Sequence, residues 1–97
     1  MIKEEYKKKL IELISTHLPN AKIFLFGSRA TNEERYDSDI DVAIDSGKKS
    51  PQDKMALIKL SIDELNIPFE VDIVDLYNLP EKFKNKINKE KILWKNQ

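Results

Sequence analysis

Hydrophobic positions in the first third of the chain form two different patterns. From Ile2 to Leu18, apolar residues recur every three or four positions with charged residues between them, and the pattern ends before Pro19. That spacing predicts an amphipathic helix. The next run, Lys22–Gly27, is short, apolar and aromatic and ends in glycine, which predicts a buried strand.

A second predicted strand, Asp39–Asp45, alternates apolar and polar residues. Because successive side chains of a strand point to opposite faces, Asp39 and Asp41 share one face with Ala43, and the larger aliphatic side chains share the other. Two carboxylates on one face of a strand repel each other. Solvent, a neighbouring lysine or a metal ion could each offset this repulsion, and the pattern alone leaves all three open.

The middle of the chain carries the start signals of a second helix. Ser50 is a residue type that caps helices, Pro51 suits a first helical position, and Asp53 falls in the first turn. Apolar residues at helical spacing follow from Met55, and the pattern ends near Asn66. We therefore predict a helix over this region.

A third strand is predicted at Phe69–Leu76. Val71 and Ile73 share one of its faces, whereas Asp72 lies on the other with Val74. The polar face of this strand therefore adds a third aspartate to the two of the second strand.

The last part of the chain predicts a helix from Pro80, with Phe83 and Ile87 facing inward. The final apolar run, Ile92–Lys95, either adds a short edge strand or packs Trp94 on the core. The resulting order, α-β-β-α-β-α, predicts an α+β fold. In this α/β sandwich, helices flank a small mixed sheet, and we expect one domain over residues 1–97.

Composition narrows the class of protein. The 97 residues carry 17 basic and 17 acidic side chains and no cysteine. The net charge of zero removes the general attraction of a basic protein to nucleic acid, and thiolate metal sites are excluded. No apolar run approaches the roughly 18 residues that a membrane span needs, and the N-terminus has no apolar secretory core. We expect a soluble, cytoplasmic protein that does not contact membranes.

Only two of the basic residues are arginines, Arg29 and Arg35, and both lie between the first two strands. Arginine makes planar contacts with several donors to phosphate better than lysine does. This placement suggests a phosphate site, although chance placement in a lysine-rich sequence explains it equally well.

The strand aspartates Asp39, Asp41 and Asp72 could converge on one edge of a small sheet. Hard divalent cations such as Mg²⁺ bind one or two carboxylates together with substrate phosphates and water, and Mn²⁺ accepts the same oxygen ligands. The glycine turn after the first strand exposes backbone N–H groups that can bind a phosphate, and Ser28 adds a hydroxyl donor. Together these groups predict a site for metal-dependent phosphoryl chemistry.

These motifs carry a resemblance to a known family. The stretch "GSRA…SDIDVAID" is similar to the signature of the nucleotidyltransferase superfamily that includes DNA polymerase β, in particular its minimal (MNT-type) members. The resemblance implies that Gly27–Ser28 hold the triphosphate of ATP, while Asp39 and Asp41 bind the divalent ions. "VDIVD" resembles the strand with the third carboxylate, which maps to Asp72 rather than Asp75. There it would bind the second ion and orient or deprotonate the attacking hydroxyl.

The sequence departs from the family pattern after the turn. Many members read "GSRARG", and this chain has Thr31 and Asn32 in place of the second arginine and the glycine. Asparagine is the best substitute for glycine at a left-handed backbone position, so the turn can be kept. Arg29 and Arg35 could replace the lost positive charge, and both are predicted to bind nucleotide.

The short chain bears on the acceptor of the reaction. Larger relatives build an acceptor site from extra domains, so we expect a macromolecular acceptor, a partner subunit or an oligomer here. Minimal members resemble the antitoxins of pairs whose toxin is a helical HEPN-domain ribonuclease, which implies transfer of AMP from ATP to a toxin tyrosine. Two other classes stay open: a non-catalytic module that neutralises a helical partner, and a small-molecule, antibiotic-type nucleotidyltransferase. A polymerase or tRNA-tailing role is least favoured, because the net charge is zero and no nucleic-acid module is present.

Overall fold

The computed structural model describes residues 2–33, 35 and 38–96. Its helices and strands in chain order are α1 (Glu4–His17), β1 (Lys22–Phe26), β2 (Ile40–Asp45), α2 (Gln52–Ser61), β3 (Val71–Asp75), α3 (Glu81–Glu90) and β4 (Ile92–Lys95). The predicted order is confirmed, including the short final strand. None of the described helices combines the length and the apolarity needed to cross a membrane.

The four strands form one mixed sheet in the order β3-β2-β1-β4. β1 pairs antiparallel with β2 and with β4, whereas β2 and β3 are parallel. A parallel pair needs a long crossover connection, and the segment that contains α2 provides it. The predicted small mixed sheet with flanking helices is therefore confirmed.

One face of the sheet packs against α1 and α2 and holds the main core. Its fully buried side chains come from both helices and from three strands, among them Leu10, Ile14, Ile23, Leu25, Ile40, Val42, Ile44, Ile58 and Ile73. The aliphatic residues Ile40, Val42 and Ile44 of β2 share this face, as the hydrophobic pattern predicted, and Ala43 is buried on the other face. Trp94 of β4 packs against this cluster, so the tail both extends the sheet and covers the core.

The opposite face carries a smaller cluster under α3, built from Phe24, Ala43, Leu76 and Ile87. The prediction that Phe83 faces inward is wrong, since 56% of its surface is exposed. The cluster is closed by the second half of α3 and by the turn after β3, and the first turn of the helix contributes nothing to it.

The predicted cap of α2 is also wrong. The helix begins at Gln52 after Pro51 and has no side-chain cap. Ser50 instead donates its backbone N–H to Oδ2 of Asp75 at 2.7 Å. The buried Asp75 carboxylate also accepts from the N–H of Tyr77 at 3.0 Å. Asp75 is thus a structural carboxylate that joins the end of β3 to the loop before α2.

Candidate active site

Two of the three predicted carboxylates are neighbours across parallel strands. Asp41 of β2 and Asp72 of β3 are register partners, and their side chains point to the same face because partners in parallel strands share a face. This is the face under α3, where Ala43 and Val74, two positions further along these strands, join the smaller cluster. Asp39 lies just before β2 and is exposed. The sheet thereby brings residues 31 positions apart in sequence to adjacent strands.

The pKa of Asp41 reflects the negative charges of the carboxylates around it. The pKa of Asp41 is raised to about 6, first by burial and then by the negative charges of Asp72, Asp39 and Glu90 in that order, against the positive charge of Arg29. Like charges disfavour ionisation of a carboxyl group, and a cation nearby would reverse this effect. The site is therefore electrostatically suited to a positive ion.

The donor set fits a metal ion that is shared with a substrate. Within the described part of the chain, no three His, Cys, Asp or Glu side chains are placed to hold a metal ion by themselves. Mg²⁺ commonly takes only one or two carboxylates and completes its shell with substrate phosphates and water. Asp41 and Asp72, with Asp39 beside them, offer hard oxygen donors of this kind.

The turn after β1 lies beside these carboxylates. Gly27 directly follows Phe26, the β1 partner of Asp41, and it has a left-handed φ of 78°. A Cβ atom at Gly27 would overlap Oδ2 of Asp41, so the close approach of turn and carboxylate requires glycine. The Gly27 carbonyl accepts hydrogen bonds from the N–H groups of Ala30 and Thr31.

Ser28 is the next residue of this turn. No residue in 2–33, 35 or 38–96 accepts a hydrogen bond from its N–H or its hydroxyl group. Both donors are thus available to an anion beside Asp41. Asn32, which closes the turn, has a φ of 61°. The expectation that asparagine can hold the left-handed position is confirmed.

The two arginines occupy different environments. Arg29 is buried, its guanidinium lies 4.5 Å from the centre of the Phe69 ring, and its Nε and Nη2 donate to the Ser38 carbonyl at 3.1 and 2.7 Å. Arg35 is exposed, and its backbone N–H donates to Oγ of Ser38 at 2.7 Å. Arg29 therefore connects the turn to the segment that enters β2. Nucleotide binding by either arginine stays a prediction.

Sequence reasoning missed one carboxylate of this site. Glu90, the last residue of α3, accepts a hydrogen bond from the Gly27 N–H at 2.9 Å through Oε1. Its position was the one indication in the sequence. A carboxylate at the C-terminus of a helix is electrostatically unfavourable, and Glu90 is the acidic residue between the basic residues Lys89 and Lys91.

A groove of about 760 Å³ opens beside Asp39 and Asp72. It runs along the outer edge of β3 and is also lined by Ile67 and Phe69 from the connection that enters this strand. Its volume is in the range of small-molecule sites, so the carboxylates have space for reacting groups next to them.

A small mixed sheet that presents paired aspartates next to a strand–Gly-Ser turn defines a nucleotidyltransferase-type domain. The family comparison agrees: the model of the family described as "Polymerase beta, Nucleotidyltransferase" matches residues 8–97. The chain belongs to this family. No curated protein sequence matches it.

Solved structures share the fold. A chain of a toxin–antitoxin complex with AMP-PNP gives a TM-score of 0.78 at 21% identity, covering 98% of this chain and 75% of that chain. A chain from the complex of tri-AMPylated Shewanella oneidensis HEPN toxin with MNT antitoxin gives 0.71 at 20% identity, covering 94% and 70%. A protein described as a minimal nucleotidyltransferase gives 0.69 at 27% identity, covering 90% and 87%. The predicted fold and resemblance are confirmed.

Proposed function

We propose that this chain is a protein adenylyltransferase that acts as the antitoxin of a HEPN-domain toxin. It transfers AMP from ATP to a tyrosine hydroxyl of that toxin in the cytoplasm, with Mg²⁺ or Mn²⁺. The observation that carries the proposal is the in-register pair Asp41–Asp72 beside the donors of Ser28. The similar structures with AMP-PNP and with an AMPylated HEPN toxin support the choice of nucleotide and partner.

Each residue has a defined role in this proposal. Divalent ions, when bound, would neutralise phosphate charge and align the attacking and leaving oxygens. Asp39, Asp41 and Asp72 hold these ions, and Gly27–Ser28 together with Arg35 hold the triphosphate. Asp72 accepts the proton of the tyrosine hydroxyl while the tyrosine oxygen forms a bond to the α-phosphorus. The bond from the α-phosphorus to the bridging oxygen breaks, and pyrophosphate leaves.

The groove along β3 is the proposed entrance for the acceptor. It reaches both Asp39 and Asp72 and lies at an edge strand of the sheet. In a complex of toxin and antitoxin, a tyrosine on the partner's surface can enter such a groove.

The test is incubation of the chain with Mg²⁺, α-phosphate-labelled ATP and a purified HEPN-domain toxin from the same organism. We expect label on the toxin and a mass increase by whole AMP units. The double variant Asp39→Asn/Asp41→Asn should lower the labelling rate at least about 1,000-fold, because metal-ion catalysis supplies several kcal/mol.

The matched control is Asp53→Asn, which removes an exposed carboxylate from the first turn of α2 and should label at the wild-type rate. If toxin is neutralised equally by wild type and the double variant without any label, the chain is a contact-only antitoxin. Label on a small molecule but not on protein would instead favour the antibiotic-type transferase.

A further inference from the structure

Glu90 reaches the phosphate-binding turn from the opposite end of the chain. Its Oε1 accepts the Gly27 N–H at 2.9 Å in a partly buried contact that joins residues 63 positions apart. The carboxylate is held at the junction of two elements, since Glu90 ends α3 and Ile92 begins β4, which pairs with β1.

This position is electrostatically costly for a carboxylate. The C-terminus of a helix carries a partial negative charge, so a glutamate there is less stable than a lysine. Glu90 also adds its charge to the carboxylates around Asp41 and raises the pKa of Asp41. The charge-assisted hydrogen bond from the Gly27 N–H compensates for this cost, and such bonds are about twice as strong as neutral ones.

Gly27 is the residue through which this bond acts on the site. Its N–H is bonded to Glu90, its carbonyl accepts from Ala30 and Thr31, and its Cα lies against the Asp41 carboxylate. With these directions fixed, the position of the next residue, Ser28, follows. The Gly27 N–H is thus engaged by the protein, whereas the donors of Ser28 face no described acceptor.

We infer that Glu90 is a positioning residue: it anchors Gly27 so that the Ser28 donors stay in place for the triphosphate. The inference rests on the proposed function, because it assumes that this turn binds phosphate. Glu90 acts through Gly27 and makes no contact with the nucleotide. Asp39, Asp41 and Asp72, by contrast, hold the metal ions directly in the proposed function.

The test measures binding of Mg²⁺ with α,β-methylene ATP, an analogue that cannot transfer AMP, by calorimetry. Glu90→Ala should bind it about tenfold more weakly, the effect expected for loss of one charge-assisted hydrogen bond. Glu90→Gln keeps an oxygen acceptor at the same place and should lose less. Glu81→Ala removes an exposed glutamate from the first turn of the same helix and should bind like wild type.

A second readout separates positioning from a general loss of structure. The chain has only two glycines, so the Gly27 amide resonance is easy to assign by NMR. In Glu90→Ala it should shift while that of Gly47 stays, with the melting temperature close to that of Glu81→Ala.

Each outcome decides a separate point. Equal binding by Glu90→Ala and wild type overturns the positioning role and leaves the proposed function intact. Tighter binding by Glu90→Ala also overturns it, because Glu90 would then compete with phosphate for the Gly27 N–H. If binding of the analogue depends on Glu90 but the chain transfers no AMP, only the proposed reaction is overturned. If neither wild type nor any variant binds the analogue, both proposals fail.

Discussion

The Asp41 side chain lies half-buried among other carboxylates, and its pKa is about 6 instead of 3.8. The folded state therefore holds this proton more tightly than the unfolded state. The resulting stability is complete below pH 4 and is lost as the pH rises through about 6. Asp41→Asn should thus exceed the wild type in metal-free unfolding free energy by roughly 1–2 kcal/mol at pH 8, a value reduced for solvent screening.

Urea unfolding in EDTA at pH 4, 6 and 8 measures this effect. The advantage of Asp41→Asn should be small at pH 4 and close to its full size at both pH 6 and pH 8, because it builds up between the pKa of 3.8 in the unfolded chain and about 6 in the folded one. Asp63→Asn is the control for removal of a surface carboxylate. An advantage of the same size at all three pH values would contradict the assignment to ionisation of Asp41.

The two arginines allow the same substitution to be compared at a buried and at an exposed position. Arg29→Lys loses the pair of hydrogen bonds to Ser38 and the stacking on Phe69, because an ammonium group lacks the planar array of donors. We expect a loss of about 2 kcal/mol in unfolding free energy, from hydrogen bonds to a charged group and a buried cation–π contact. Arg35→Lys changes an exposed side chain and should stay within about 0.5 kcal/mol of wild type.

At the scale of elements, α3 depends on one buried side chain. Ile87 is 5% exposed and closes the smaller cluster, whereas Phe83 on the preceding turn is mostly exposed. Ile87→Ala should lower the unfolding free energy by about 2–4 kcal/mol through lost burial and a cavity. Phe83→Ala should cost less than about 1 kcal/mol.

The variants Ile87→Ala and Phe83→Ala also test the link between α3 and the candidate site. Since α3 carries Glu90, Ile87→Ala should weaken binding of the nucleotide analogue under conditions where the variant is fully folded. Phe83→Ala should leave that binding unchanged. Equal losses of stability in the two variants would show that the cluster under α3 is not built as described.

At the scale of the whole molecule, the parallel pairing of β2 and β3 decides which aspartates are neighbours. It places Asp72 opposite Asp41 and leaves Asp75 three pairings further on, in register with Ile44 and buried on the other face. The antiparallel pairing of β1 with β2 then brings the Gly27 turn to the same end of the sheet. Asp41, Asp72 and the Gly27 turn therefore meet at one end of the sheet.

The order of elements and the faces of β2 and β3 could be predicted because hydrophobic period is a local property of the chain. The Gly-Ser turn and the spaced aspartates were equally local, and so was the left-handed position of Asn32. Phe83 was misplaced because its helical spacing cannot show how much sheet lies beneath a short helix. Ser50 was misplaced because its acceptor, Asp75, is 25 residues away.

The sequence by itself determined the helices, the strands, the carboxylates and the family pattern, since each is encoded in residues close together along the chain. Only the tertiary structure decided which carboxylates share a site, that Arg29 is buried on Phe69, and that Glu90 holds Gly27. These depend on strand register and on contacts between distant segments. Such contacts are fixed by packing of the whole sheet rather than by any local pattern.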